Sequence, residues 1–385
     1  MGATPALSPR QQLAWDTILR KPVKGIGIWQ INPMEWRMID RLAGVAEGTY
    51  EKQPVPTYRK MLENSGANLL DQWIPENPLS MKEGGYESAK AGASPTTGQH
   101  EIVCDGIRID SPEAVIDHLE RFVFPGLEKG TAAFDEAAKT RELIAGECRI
   151  QAELGDAILK APYTWPFAAF PGFAYGRYGY ENYFMAYALY PEVIEKHFRL
   201  QADQALRHNR AGARAIVDAG FAPYIRLDHD MADGRSTLAD IRSLDRIWFP
   251  HFRRCLQPLL DAGIALIWHC DGNLMDMVPR LLDCGLRGFQ GFQYEFGMDY
   301  EKICRMKTRD GEGLLIIGGV SVTRTLPHGT PEDVKKEMAW LVKHGPKQGL
   351  FLGGSSSIAP GVPWENLKAL VDGFNHYREQ GRGGR

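Results

Sequence analysis

Two apolar runs in this chain end abruptly in titratable residues. Ala265-Leu266-Ile267-Trp268 closes on His269, Cys270, Asp271 and the turn residue Gly272, and Ala222-Pro223-Tyr224-Ile225-Arg226-Leu227 closes on Asp228, His229 and Asp230. Such a run reads as a buried strand, so each ending sets an imidazole and carboxylates at a strand's carboxyl end, where α/β folds carry their chemistry. His269, His229, Asp230, Asp228 and Glu295 are the candidate catalytic residues, as imidazole and carboxylate are the usual proton donors and acceptors. His229, His269 and Asp271 form a candidate metal-ligand set, since zinc accepts both ligand types. Plainer roles stand beside these. Side chains alternate along a strand, so one of Asp228, His229 and Asp230 must point away. His269 can be a hydrogen-bonded core histidine, and Asp271 can cap a helix beginning at Leu274. The same alternation turns Cys270 away from His269.

These residues need elements to position them. Strands are predicted at Tyr224–Leu227, Ala265–Trp268, Gly288–Phe292, Leu314–Ile317 and Gly349–Leu352, with helices between and after them at Leu238–Ala262, Leu274–Cys284, Asp299–Lys307, Thr330–His344 and Pro363–Arg378. Thr330 before Pro331-Glu332-Asp333 is a helix start, and Pro363-Trp364-Glu365 is similar. The first half is less regular. It offers a helix at Pro9–Leu19, strands at Ile26–Trp29 and Ala67–Trp73, a glycine-rich piece from Lys82 to His100, and a small hairpin near Glu101–Ile109. Helical pattern follows from Pro112 to Ile158, then a strand within Tyr163–Phe170 and one long helix, Ala186–Ala219. About eight strand–helix units result, the count of a closed (β/α)8 barrel.

The 385 residues carry a net charge of −3, with 44% hydrophobic and 24% charged residues. No basic footprint points to nucleic acid. No apolar run is long enough to span a bilayer, and Met1-Gly2-Ala3-Thr4-Pro5-Ala6 fits neither a secretory signal nor a myristoylation motif, so the expected location is cytoplasmic, without a membrane partner. Six scattered cysteines form no C-x-x-C pair and read as reduced thiols, Cys255 and Cys284 as small core residues. Trp29, Trp73, Tyr175, Tyr178 and Phe184 are candidate walls for an apolar small-molecule substrate. Gly172, Gly176 and Gly179 are turn formers, since no G-x-G-x-x-G opens a helix after a strand there. The tail Glu379–Arg385 is expected to fray.

Several segments resemble the uroporphyrinogen decarboxylase superfamily: Gly318-Gly319-Val320, Thr325 through Val334 (TLPHGTPEDV), Gly297-Met298-Asp299, His269 through Asn273, Ile358 through Leu367 (IAPGVPWENL), and the opening Ser8-Pro9-Arg10-Gln11. The resemblance implies one α/β domain over residues 1–385, a (β/α)8 TIM barrel with an N-terminal helical extension and an insertion around residues 80–110. Its cleft would lie at the carboxyl ends of the strands. The superfamily holds both porphyrinogen decarboxylases and cobamide-dependent methyltransferases. Where the decarboxylases carry an arginine-rich segment after the first strand, this chain reads Trp29-Gln30-Ile31-Asn32-Pro33-Met34-Glu35-Trp36-Arg37, with one arginine. Many substrate carboxylates would want several guanidinium forks there.

The thiol-methylating branch binds zinc through a His-x-Cys pair and a later cysteine. His269 matches that histidine, but Asp271 stands for the first cysteine and Ser356 for the second, so any zinc would be held by harder ligands. The resemblance implies methyl transfer from a small donor, methoxylated aromatic or methylamine-like, to a corrinoid (cobalamin) on a partner protein, with no cofactor bound covalently and a homodimer as the assembly. The alternative is decarboxylation of uroporphyrinogen or another carboxylated substrate. A third reading, passive binding of a corrinoid or tetrapyrrole, gives the clustered acids and histidines nothing to do.

Overall fold

A computed structural model describes residues 7–76, 101–269 and 271–383; the glycine-rich piece 82–100, Cys270 and the first six residues lie outside them. Among the described residues there are ten strands: β1 (Gly27–Ile28), β2 (Leu69–Leu70), β3 (Val103–Cys104), β4 (Ile107–Arg108), β5 (Leu159–Lys160), β6 (Tyr224–Asp228), β7 (Ala265–His269), β8 (Gly288–Gly291), β9 (Leu315–Val320) and β10 (Leu350–Gly354). β3 and β4 make the expected antiparallel hairpin. The others are parallel, in a six-stranded sheet β1-β10-β9-β8-β7-β6 and a two-stranded sheet β2-β5. Two single parallel bridges, Trp29–Leu69 and Tyr163–Arg226, join the sheets at both edges, so eight parallel strands follow one another around a ring. This is the TIM-barrel arrangement, with helices covering the outside.

Alternation sorts the strand residues. Tyr224, Ile267, Leu315, Ile317 and Phe351 pack together with Leu69, Leu159 and Trp29 inside the ring, and Ala14 and Ile18 of the helix Pro9–Ile18 join that cluster. Ile225, Leu227, Leu266, Trp268 and Ile316 belong instead to the larger core shared with the outer helices. The helix Pro9–Ile18 starts in a capping box: Ser8 Oγ accepts the Gln11 N–H at 3.2 Å, and Gln11 Oε1 accepts the Ser8 N–H at 3.1 Å.

The elements depart from the sequence expectations in four places. No strand forms within 163–170; the strand comes earlier, at β5, and Thr164–Phe167 is a short helical turn containing a cis Trp165–Pro166 bond. The expected helix 186–219 is two, Tyr180–Leu189 and Pro191–Ala219, because Pro191 cannot donate to a preceding turn and opens a new helix. Pro250 likewise divides the expected helix 238–262 into Ile241–Ile247 and Phe249–Asp261. The tail does not fray up to residue 383: the last helix runs Trp364–Gln380, and the Arg382 guanidinium donates to the carbonyls of Val342, Gly345 and Pro346. Cys255 and Cys284 are fully buried. No described helix is long and apolar enough to cross a membrane.

Candidate active site

At the carboxyl ends of the strands lies a cavity of about 340 Å³. Its wall includes Trp29 after β1, Gln72 after β2, Arg226 and Asp228 on β6, His269 on β7, Gln290 on β8 and Ser356 after β10. β6 places Tyr224, Arg226 and Asp228 on its inner face, because they are two residues apart.

Arg226 organises the floor. It is 2% exposed, and it donates to Asp71 through Nε at 2.9 Å and Nη2 at 3.1 Å, and to Asp228 Oδ2 through Nη1 at 2.9 Å. The Tyr224 hydroxyl reaches Asp71 Oδ2 at 2.9 Å, and the Tyr163 hydroxyl reaches Asp228 Oδ2 at 2.7 Å. The rings of Trp29 and Tyr163 lie 5.0 and 4.7 Å from the guanidinium carbon. Burial alone would push the Asp228 carboxyl up. His269 and Arg226 beside it and the Tyr163 hydrogen bond outweigh burial, and hold it below the ordinary value.

Above this floor, Asp230, His269 and Asp271 each offer a ligand atom, and these atoms lie within 4.8 Å of one another. The Asp271 N–H donates to Asp230 Oδ1 at 3.2 Å, and the Ser356 hydroxyl donates to Asp271 Oδ2 at 3.0 Å. The three positions at which the resemblance placed a zinc site, His269, Asp271 and Ser356, are thus adjacent. Gly272 makes the turn possible: its φ is +86°, and a Cβ there would stand 2.4 Å from the Asp233 carbonyl oxygen. His269 is buried, and its Nδ1 has no hydrogen-bond partner among the described residues. Withdrawal from water pushes the Asp230 carboxyl up; His269 opposes the rise and Asp271 adds to it.

His229 is placed differently from the expected metal set. Its Nε2 accepts the Phe173 N–H at 2.9 Å, and Phe170, Phe173 and Tyr175 surround the ring. Nε2 is therefore engaged, and Asp230 stands in the group of ligand atoms where His229 was expected. Glu295 lies outside that group as well; its Oε1 accepts from the hydroxyls of Ser321 at 2.9 Å and Thr323.

The expected wall residues divide among several places. Trp29 lines the cavity. Tyr178 lines a second cavity of about 420 Å³, which shares Asp228 with the first and reaches His229, His197 and Gln201. The Tyr178 hydroxyl lies 2.8 Å from Nδ1 of the buried His118, whose Nε2 meets Asp105 at 2.8 Å. Tyr175 reaches the Asp230 carbonyl at 3.1 Å and stacks on Tyr180, and Phe184 packs against Phe173. Trp73 packs edge-on against Tyr58 and lines neither cavity. Asp71, Arg226, Gln290 and His197 were not singled out from sequence.

A (β/α)8 barrel with acids and an imidazole gathered at its carboxyl-end mouth defines an enzyme of the kind that builds its site from strand ends. The uroporphyrinogen decarboxylase (URO-D) family profile matches residues 177–377, and the chain belongs to that family. Among solved structures, it resembles a methyltransferase from Methanosarcina mazei at 17% identity and a TM-score of 0.55, over 96% of this chain and 98% of that one. It also matches a B12-independent methionine synthase from Shewanella sp. W3-18-1, at 14% identity and a TM-score of 0.37, over 58% of this chain and 62% of that one. A search of curated protein sequences found no match.

Proposed function

We propose that the protein transfers a methyl group from a small donor bound at the barrel mouth to a corrinoid carried by a partner protein. The observation that carries this reading is the convergence of Asp230, His269 and Asp271 beside a cavity with little positive charge. A methyl group leaves oxygen, nitrogen or sulfur only if the atom left behind is protonated or otherwise neutralised. His269 and Asp230 are the groups here that can hold and deliver that proton. Ser356 and the Asp271 N–H keep the two carboxylates in place. Asp228, fixed by Arg226 and Tyr163, is a carboxylate held in place on the same cavity wall as His269.

One imidazole and two carboxylates also fit a divalent cation, and the buried, unpartnered Nδ1 of His269 is consistent with a ligand role. When bound, such an ion would supply Lewis acidity at the leaving atom.

The alternative, decarboxylation of uroporphyrinogen, finds less support. Among the described residues, Arg226 is the single arginine on the cavity wall, and its donors already serve Asp71 and Asp228. A substrate rich in carboxylates would meet the carboxylates of Asp228 and Asp271 on that wall.

The test is to mix the protein with cob(I)alamin and, separately, methoxylated aromatics and methylamines, following the cobalt absorbance. Methylation with one donor class, slowed a hundredfold or more (~10²) in His269→Ala, is expected. Loss of CO2 from uroporphyrinogen, with no methylation by any donor, would replace this reading by the alternative.

A further inference from the structure

The carboxyl end of the barrel's inner face carries more acid than base. Parallel pairing sets Asp228 of β6 beside His269 of β7. Alternation turns both to the side of Tyr224 and Ile267, which lie inside the ring. Both border the first cavity, whose wall also holds Asp271. Asp230 joins His269 and Asp271 in the group of ligand atoms within 4.8 Å, and Asp71 lies beneath, against Arg226 and 1% exposed. Among the described residues, Arg226 is the one lysine or arginine on that wall, and the other wall residues apart from His269 are uncharged.

Four carboxylates, Asp71, Asp228, Asp230 and Asp271, thus stand around one fixed positive charge, and that guanidinium is divided between Asp71 and Asp228. A protonated His269 would still leave two negative charges unmatched. A divalent cation held by Asp230, His269 and Asp271 would match those two acids only, leaving Asp71 and Asp228 to share one guanidinium. The floor keeps negative charge in each state, and Asp228 is where a ligand can reach it. Its Oδ2 takes Tyr163 and Arg226, its Oδ1 has no hydrogen-bond partner among the described residues, and its side chain is 27% exposed. His269, 8% exposed, likewise makes no side-chain hydrogen bond to a described residue. Carboxylates drawn from water without a counter-charge are costly, and a concave wall of one sign focuses its field on what enters.

We infer that the first cavity takes its small-molecule ligand as a monovalent organic cation, a methylammonium compound, with Asp228 and Asp271 as its counter-ions. A neutral arene filling the same space would strip water from these carboxylates and return no charge, and an anion would be repelled. At about 340 Å³ the cavity has room for such a cation. The cation's role as methyl donor rests on the methyl-transfer reading; its binding does not.

Calorimetric titration with choline and its uncharged carbon isostere, 3,3-dimethylbutan-1-ol, tests this. Choline should bind more tightly than the isostere by about tenfold or more. Asp271 borders the first cavity and not the second, and Asp271→Asn keeps an acceptor for the Ser356 hydroxyl. That variant and Asp228→Asn should each weaken choline binding about tenfold and leave the isostere unchanged. Should Asp228→Asn fail to fold, Asp271→Asn and the unaltered protein decide: added sodium chloride should weaken choline binding and not that of the isostere. Equal affinity for the two isosteres, no binding of choline, or choline binding that Asp271→Asn leaves unchanged overturns the proposal. Choline binding with no methylation of cob(I)alamin by any donor would remove the methyl-transfer reading alone. Methylation from a methoxylated arene with no choline binding would remove the cation site alone.

Discussion

Arg226 directs its guanidinium at two carboxylates that come from strands far apart in the chain, Asp71 after β2 and Asp228 at the end of β6. Burial opposes its charge, while Asp71, Tyr163 and Asp228 more than offset that, so the arginine stays ionised. Breaking such a pair on one side leaves an uncompensated buried charge. Asp71→Ala should therefore lower unfolding stability by about 3–5 kcal/mol in urea titration, and adding Arg226→Met should recover much of the loss. An Asp71→Ala protein as stable as the parent would show that the pair contributes nothing. His197 makes a pH prediction. Its value when folded is about 4, below the ordinary ~6.5. The unfolded chain thus takes up a proton that the folded one refuses. The stabilisation from keeping this ring neutral is complete above about pH 6.5 and falls away as pH drops toward 4, by roughly 3 kcal/mol in total. His197→Gln should flatten the acid limb of the stability–pH curve, read by denaturation midpoints between those values.

At the scale of elements, the turn after β7 carries the site. Gly272 follows Asp271 directly, with its positive φ and the Asp233 carbonyl against it. Gly272→Ala should cost about 1–3 kcal/mol and shift Asp271, lowering activity more than a surface Gly→Ala elsewhere. Thermal midpoints and turnover measured together check this, and an unchanged turnover would detach the turn from the chemistry. The same element shows how much could be read from sequence. β7 is a continuous apolar run ending in His and Asp, so strand and site residues were both visible there. β5 is not: Leu159-Lys160 is short and contains a lysine that reads as exposed, yet Lys160 is buried against Glu147 at 2.9 Å. The helix breaks at Pro191 and Pro250 were misjudged because hydrophobic periodicity continues across them. Asp71 and Arg226 escaped notice because their partnership spans 155 positions, which no local pattern records. The one available signal was alternation, which puts Tyr224, Arg226 and Asp228 on the same face.

At the scale of the whole molecule, the ring is thinnest where its two sheets meet, through the single bridges Trp29–Leu69 and Tyr163–Arg226. β6 and β7 pair along their full length, whereas β5 meets β6 through the single bridge Tyr163–Arg226. Two side chains reinforce that place: Thr164 Oγ1 donates to the Arg226 carbonyl at 2.5 Å, and Tyr163 reaches Asp228. Amide hydrogen exchange should be faster at 161–165 than in β7 or β9, and Thr164→Val should widen the gap. Equal protection in all three would contradict this. Those residues also border the second cavity through Thr164 and Trp165. A brief parting of this seam would thus reshape the second cavity's wall while the six-stranded sheet stays zipped.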